Sequence, residues 1–267
     1  MSPKPSGLAR KAGFRKPSRR LLALFDVYLQ WYIGRHFHGL RLAHGSRFPA
    51  ASRPLIVCLN HASWWDPLTA IVLSRHWLPR ADHYAPMEEA ALAHYGFMRK
   101  LGLFPIESGT PRGAVQFLRA ARDILAEPDS VLWITPEGRF TDVRARPVSL
   151  RPGLAALISR LGACTVVPLA IEYIFWDERL PEILVSCGEP VVIADGGAHP
   201  AAEWNILLAS AMTVAQDELG ALAALRDPSR FETVISGAAG MGNLYGRWKG
   251  QSWRSRRERS QRNEGGA

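Results

Sequence analysis

Apolar runs and helical periodicities alternate along the chain from residue 21 onward. In residues 21–33, LLALFDVYLQWYI, the side chains Leu21, Leu24, Phe25, Tyr28 and Tyr32 recur at helical spacing, predicting an amphipathic first helix. Pro54 then introduces an uninterrupted apolar run, Leu55 to Leu59, with the length of a buried strand. Asp66-Pro67 has the form of an N-cap and first helical residue, opening a helix to about Trp77. His83 to Met87 predicts a strand, residues 88–101 a helix ended by Gly102, and Leu103 to Ile106 a further strand. Pro111 starts a helix to about Leu125, with Ala114, Phe117, Leu118, Ala121 and Leu125 on one face. Strands at Val131 to Thr135, Thr165 to Ile171 and Ile183 to Cys187, and helices at Pro152 to Leu161 and Ala202 to Leu225, complete the pattern.

Strands alternating with helices in this way predict an α/β fold. The expected architecture is a single domain over residues 21–236, with a mixed, largely parallel sheet flanked by helices and an N-terminal amphipathic region at 21–45. Ligands of such folds gather beyond the carboxyl ends of the strands. The polar turns at 60–66 and 136–139 each follow a predicted strand, so both can meet at that edge.

Charge changes the picture at the two ends. Residues 1–20 carry seven cations and no acid, and residues 247–267 carry seven cations and two acids, so the ends together hold +12. The stretch between them has 19 cations against 22 acids and is slightly acidic, although the whole chain is +9. Residues 1–20 read as a disordered basic arm. Residues 237–267 read as a glycine-rich linker and basic tail, whose GAAGMGNLYG does not satisfy the GxGxxG fingerprint. Basic ends suit a polyanion, either nucleic acid or an anionic membrane surface. Nucleic acid is disfavoured because no zinc, helix-turn-helix or RNA-binding signature accompanies the charge.

The first helix then has two readings. Behind its basic arm, and with Tyr28, Trp31 and Tyr32 on it, residues 21–33 can lie in a membrane surface. They can equally pack on the core, and one face can serve each purpose. No window reaches the ~18 uninterrupted apolar residues of a spanning helix. Cys58, Cys164 and Cys187 are few, odd in number and far apart, which excludes a disulfide framework and points to a reducing compartment.

The richest chemistry lies in Asn60-His61-Ala62-Ser63-Trp64-Trp65-Asp66. A turn between a strand and a helix can fold the carboxylate of Asp66 back onto the imidazole of His61. The carboxylate would fix the ring tautomer and leave one nitrogen free to take a proton from a hydroxyl. Helix capping alone also accounts for Asp66 before Pro67. No GxSxG elbow and no cysteine beside a histidine supplies a nucleophile, and no HExxH or second histidine at ligand spacing supports a metal. Direct attack by a bound alcohol is the economical chemistry, and no cofactor is expected beyond a co-substrate.

NHASWWD resembles the NHxxxxD first motif of the lysophosphatidic acid/glycerolipid acyltransferase family. Further blocks follow in the family's order. Gly102-Leu103-Phe104-Pro105-Ile106 is similar to the second motif, Thr135-Pro136-Glu137-Gly138-Arg139-Phe140 to the PEGTRS-type third, Val166-Val167-Pro168-Leu169-Ala170 to the fourth, and Gly188-Glu189-Pro190 to the turn that often follows. The likeness covers about residues 50–192 and departs in two places. Glu107 stands where the second motif usually has an arginine, and Arg139 follows Gly138 directly, without the usual intervening residue. In the family those arginines are linked to the acceptor's phosphate, so Arg112, Arg139 and Arg144 are candidates to compensate.

The resemblance implies an O-acyltransferase. His61, oriented by Asp66, would strip an acceptor hydroxyl, which attacks acyl-CoA or an acyl-loaded acyl carrier protein. The acceptor would be a lysophospholipid or related glycerolipid, positioned by Asn60, Glu137, Gly138 and Arg139, with Gly102 and Arg112 beside them. The expected location is cytoplasmic, peripheral on the inner face of the membrane. The alternatives are a thioesterase or lipid hydrolase using the same base on water, and a basic-tailed binding protein without catalysis.

Overall fold

Strand β2 (Leu55–Leu59) is buried at every position because both of its faces are covered. Ile56 and Cys58 join a core built with helices α4 (Pro111–Leu125), α5 (Gly153–Ile158) and α6 (Ala201–Ala224). Leu55, Val57 and Leu59 join a second core with α1 (Arg19–His36) and α2 (Asp66–Trp77). The chain is therefore a helix–sheet–helix sandwich of the α/β class. The computed structural model describes residues 14–46, 48–49 and 54–237.

Besides β2, the sheet contains β1 (Gly39–Ala43), β3 (Asp82–Glu88), β4 (Leu103–Ile106), β5 (Ser130–Ile134), β6 (Cys164–Ile174), β7 (Glu182–Cys187), β8 (Val191–Ile193) and β9 (Phe231–Ser236). Their order is β4-β3-β5-β2-β6-β7-β1-β9, with β8 on β6. β4, β3, β5, β2 and β6 run parallel to their neighbours, so their carboxyl ends share one edge. β6–β7, β6–β8 and β1–β9 are antiparallel, which makes the sheet mixed, as expected.

Several elements differ from expectation. The amphipathic region does not run to residue 45: α1 ends at His36, and β1 inserts between β7 and β9. β1, β8 and β9 had no sequence signal of their own; they are short, and tertiary pairing makes them strands. Residues 88–101 are two pieces, α3 (Glu89–His94) and a 3-10 turn at Gly96–Leu101, divided at Tyr95. Residues 14–20, expected in the basic arm, are instead packed on the fold. Phe14 is buried edge-to-face on Tyr84, Lys16 pairs with Asp82 at 2.9 Å, and Ser18 caps α1 by accepting from the Leu21 amide. Residues 1–13 and the expected tail from 238 lie outside the described residues.

α1 is apolar on two sides. Leu22, Leu29 and Ile33 are buried, whereas Leu24, Val27, Tyr28 and Trp31, at i, i+3, i+4 and i+7, face solvent. α6 is the one described helix long and apolar enough to cross a membrane by length and composition. It lays Trp204, Leu208, Met212, Ala215, Leu219 and Ala223 against the rest of the fold.

Candidate active site

The turn after β2 and the start of α2 bring His61 and Asp66 together. Nδ1 of His61 lies 2.7 Å from Oδ2 of Asp66. An ionised carboxylate only accepts, so Nδ1 carries the hydrogen and Nε2 is the unprotonated nitrogen of the neutral ring. Among the described residues no group hydrogen-bonds Nε2. The ring retains 21% side-chain exposure while the carboxylate is buried. Phe140 flanks it with centroids 4.3 Å apart.

Asp66 does not cap α2: that helix has no side-chain cap, and Trp65 holds the cap position. Its carboxylate is spent on three donors instead. Oδ2 also accepts the Ser63 amide at 3.0 Å, and Oδ1 accepts the Tyr173 hydroxyl at 2.8 Å. Pro67 still opens the helix as expected, since the first turn needs no amide donor there.

Behind the imidazole, Glu137 accepts the backbone N–H of His61 at 2.5 Å, and Thr141 N–H donates to the His61 carbonyl at 2.9 Å. The turns after β2 and β5 are thus stitched through both backbone groups of His61. Burial raises the Glu137 carboxyl above its ordinary value, and its bond to His61 partly offsets this. Glu137 was expected to contact the acceptor, but its carboxylate is turned inward to His61. Asn60 was also expected to contact the acceptor, and it too is committed to structure. Its amide gives Nδ2–H to the Ile171 carbonyl at 3.0 Å and accepts the Ile171 amide at 2.7 Å, so it fastens β2 to β6.

Gly138 has φ +63, and a Cβ there would sit 2.5 Å from Cδ and Nε of Arg151. The glycine lets the Arg151 side chain lie across the turn. Arg139 and Arg151 are exposed at this edge. Arg144, expected as a compensating cation, is tied to Glu172 at 3.0 Å.

Neither Gly102 nor Arg112 is bonded to the His61–Asp66 pair. Gly102 has φ +103, and a Cβ would fall 2.0 Å from the His83 carbonyl oxygen, so its part is to let the chain enter β4. Arg112 lies 3.8 Å from Glu107 on the rim of a groove of about 780 Å³ between β4 and α4, whose lining includes Phe104, Val115 and Arg119 but neither His61 nor Asp66. Tyr173 and Thr69 carry no signal in the sequence, and neither Phe140, inside the third block, nor Arg151 is a candidate site residue there.

The family model for Acyltransferase matches residues 41–172. Residues 41–172 are an acyltransferase-family domain. Among solved structures it is similar to the 1-acyl-sn-glycerophosphate (LPA) acyltransferase PlsC from Thermotoga maritima, at TM-score 0.53 and 15% identity, over 76% of this chain and 81% of that one. At that identity the likeness establishes the shared fold. No curated protein matches the chain. The family domain of this acyltransferase begins in β1 and ends within β6, so it contains both turns that meet at His61.

Proposed function

We propose that the protein moves a fatty acyl group from acyl-CoA or an acyl carrier protein to a hydroxyl of a lysophospholipid or related glycerolipid. The observation that carries this reading is an imidazole held at Nδ1 by a buried carboxylate, with no described residue bonded to Nε2, at the edge where the parallel strands end. Family membership supports acyl transfer, and the Thermotoga relative suggests the acceptor class.

In the reaction Nε2 of His61 takes the hydroxyl proton as the acceptor oxygen attacks the thioester carbonyl. The resulting tetrahedral oxyanion collapses, the C–S bond breaks, and the thiolate recovers the proton from the imidazolium. The products are an ester and a free thiol, and no residue is acylated. Burial pushes the thiols of Cys164 and Cys187 up to about 11 and about 12, which suits none of them to nucleophilic work. Arg139 and Arg151 are the exposed cations suited to an anionic headgroup at this edge, since a guanidinium binds phosphate through paired donors.

The outward stripe of α1 supports a peripheral membrane position. An aromatic path leads from it to the site: Tyr28 stacks on Tyr32 at 5.5 Å, Tyr32 lies 5.4 Å from Trp65, and Trp65 lies 5.6 Å from Trp64, which is exposed. A helix seated this way would present the edge holding His61 to lipid.

The test is incubation with labelled acyl-CoA or acyl carrier protein and a panel of lysolipids. Labelled diacyl product is expected. Free fatty acid alone would assign a hydrolase, and no turnover with either donor would overturn the reading. His61→Ala should abolish transfer with the fold retained.

A further inference from the structure

The geometry points to Tyr173 as a positioning residue for the His61–Asp66 pair, setting through its hydroxyl both the orientation and the basicity of the imidazole. This inference rests on the reading of His61 as the base. Tyr173 sits near the carboxyl end of β6, 107 residues from Asp66, and donates its O–H to Oδ1 at 2.8 Å. Oδ1 is the carboxylate oxygen that His61 does not use.

The hydroxyl is itself held. The phenol hydrogen is committed to Asp66, so Thr69 Oγ1, 3.3 Å away and on α2, donates to the phenol oxygen. The ring packs 5.9 Å from Phe37, just beyond α1. Thr69 lies three residues after Asp66, on the same side of α2. The chain Thr69–Tyr173–Asp66–His61 therefore locks the carboxylate plane from both oxygens. Burial and the neighbouring Asp66 charge hold the phenol well above its ordinary value, so it stays a donor throughout the working pH range.

The electrostatic consequence has a definite sign. A donor on Oδ1 draws charge away from the carboxylate and weakens its hold on the imidazolium. Removing it concentrates charge on Oδ2 and raises the pH at which the pair gains its proton. Glu137, which accepts the His61 amide, Arg139 beside Glu137, and the Glu172–Arg144 pair next to Tyr173 are charged groups on the neighbouring segments, and substitutions at 173 leave all of them in place.

The test pairs kinetics with histidine-labelled NMR titration of the full-length protein. Tyr173→Phe should lower kcat roughly tenfold, because the freed carboxylate no longer holds the imidazole in line and this outweighs the gain in basicity, with KM within about twofold. The His61 titration should move upward. Replacing Tyr173 with 3-fluorotyrosine, an isosteric and stronger donor that keeps the fold, should move it downward. A structural role alone would not follow donor acidity. An unmoved His61 titration in both proteins, or an unchanged kcat in folded Tyr173→Phe, overturns the proposal. The titration is read without turnover, so shifts without acyl transfer would sink the functional reading alone, and transfer without shifts would sink Tyr173 alone.

Discussion

The carboxylate of Glu137 and the backbone N–H of His61, 76 residues apart in sequence, are joined by a 2.5 Å hydrogen bond. This bond ties the third sequence block to the first and sets the height of the imidazole above the sheet edge. A glutamine keeps the acceptor oxygen and an alanine removes it. Glu137→Ala should destabilise the fold by about 1–3 kcal/mol, the cost of stranding a buried amide, and should lower transfer at least tenfold. Glu137→Gln should retain most of the stability. Urea unfolding and initial rates on the two variants check this, and equal behaviour of both would contradict it.

Glu137 and Glu172 also leave a signature in pH. Burial raises both carboxyls above the 4.5 they would have in the unfolded chain. Between 4.5 and the raised values, the folded protein holds protons that the unfolded chain has released. Stability drawn from these groups therefore falls as pH rises through that window. The double variant Glu137→Gln/Glu172→Gln should lose this slope, so its stability relative to the native chain should improve from pH 4.5 upward. Denaturation midpoints at stepped pH measure it, and a constant difference would refute it.

Asp66→Asn keeps the shape of the side chain but removes the charge that stabilises the imidazolium. Transfer should fall about 10²–10⁴-fold, comparable to loss of a general base, while circular dichroism stays native. A loss under threefold would mean that the 2.7 Å contact is not functional.

Asn60→Ala opens the seam between β2 and β6. It strands the amide and carbonyl of Ile171 in a buried position, at a cost of about 2–4 kcal/mol for two orphaned groups. The unfolding midpoint should drop with KM for the acceptor unchanged in the folded fraction. A raised KM at native stability would return Asn60 to the acceptor site.

The outward stripe of α1 predicts a separation of binding from stability. Leu24 and Trp31 are 71% and 61% exposed, so Leu24→Ser/Trp31→Ser should leave the unfolding midpoint within about 0.5 kcal/mol of native. Flotation with anionic vesicles should fall severalfold. Equal flotation would remove the membrane-facing reading of this helix.

Much of the fold was legible locally. β2, α2, β4 and α4 occupy the spans their patterns predict, because a continuous apolar run, a Pro at a helix start and a 3.6-residue stripe each act over a few residues. β1 and β9 were not legible. β1 pairs with both β7 and β9, and five or six residues seldom announce a strand whose pairing is remote. The candidate site divides in the same way. His61 and Asp66 lie five residues apart and could be paired on paper. Asn60 and Glu137 were visible in their blocks, but what their side chains hold was not.

The sequence alone determined the α/β class and the acyltransferase resemblance, and it put an imidazole and a carboxylate within pairing reach, because these depend on spacing within one turn or one element. Only the tertiary structure decided that Glu137 faces His61, that Asn60 serves Ile171, and that Tyr173 completes the shell of Asp66. Those contacts join the ends of separate parallel strands. Strand order and register set them, and no local pattern encodes which strand will lie beside which.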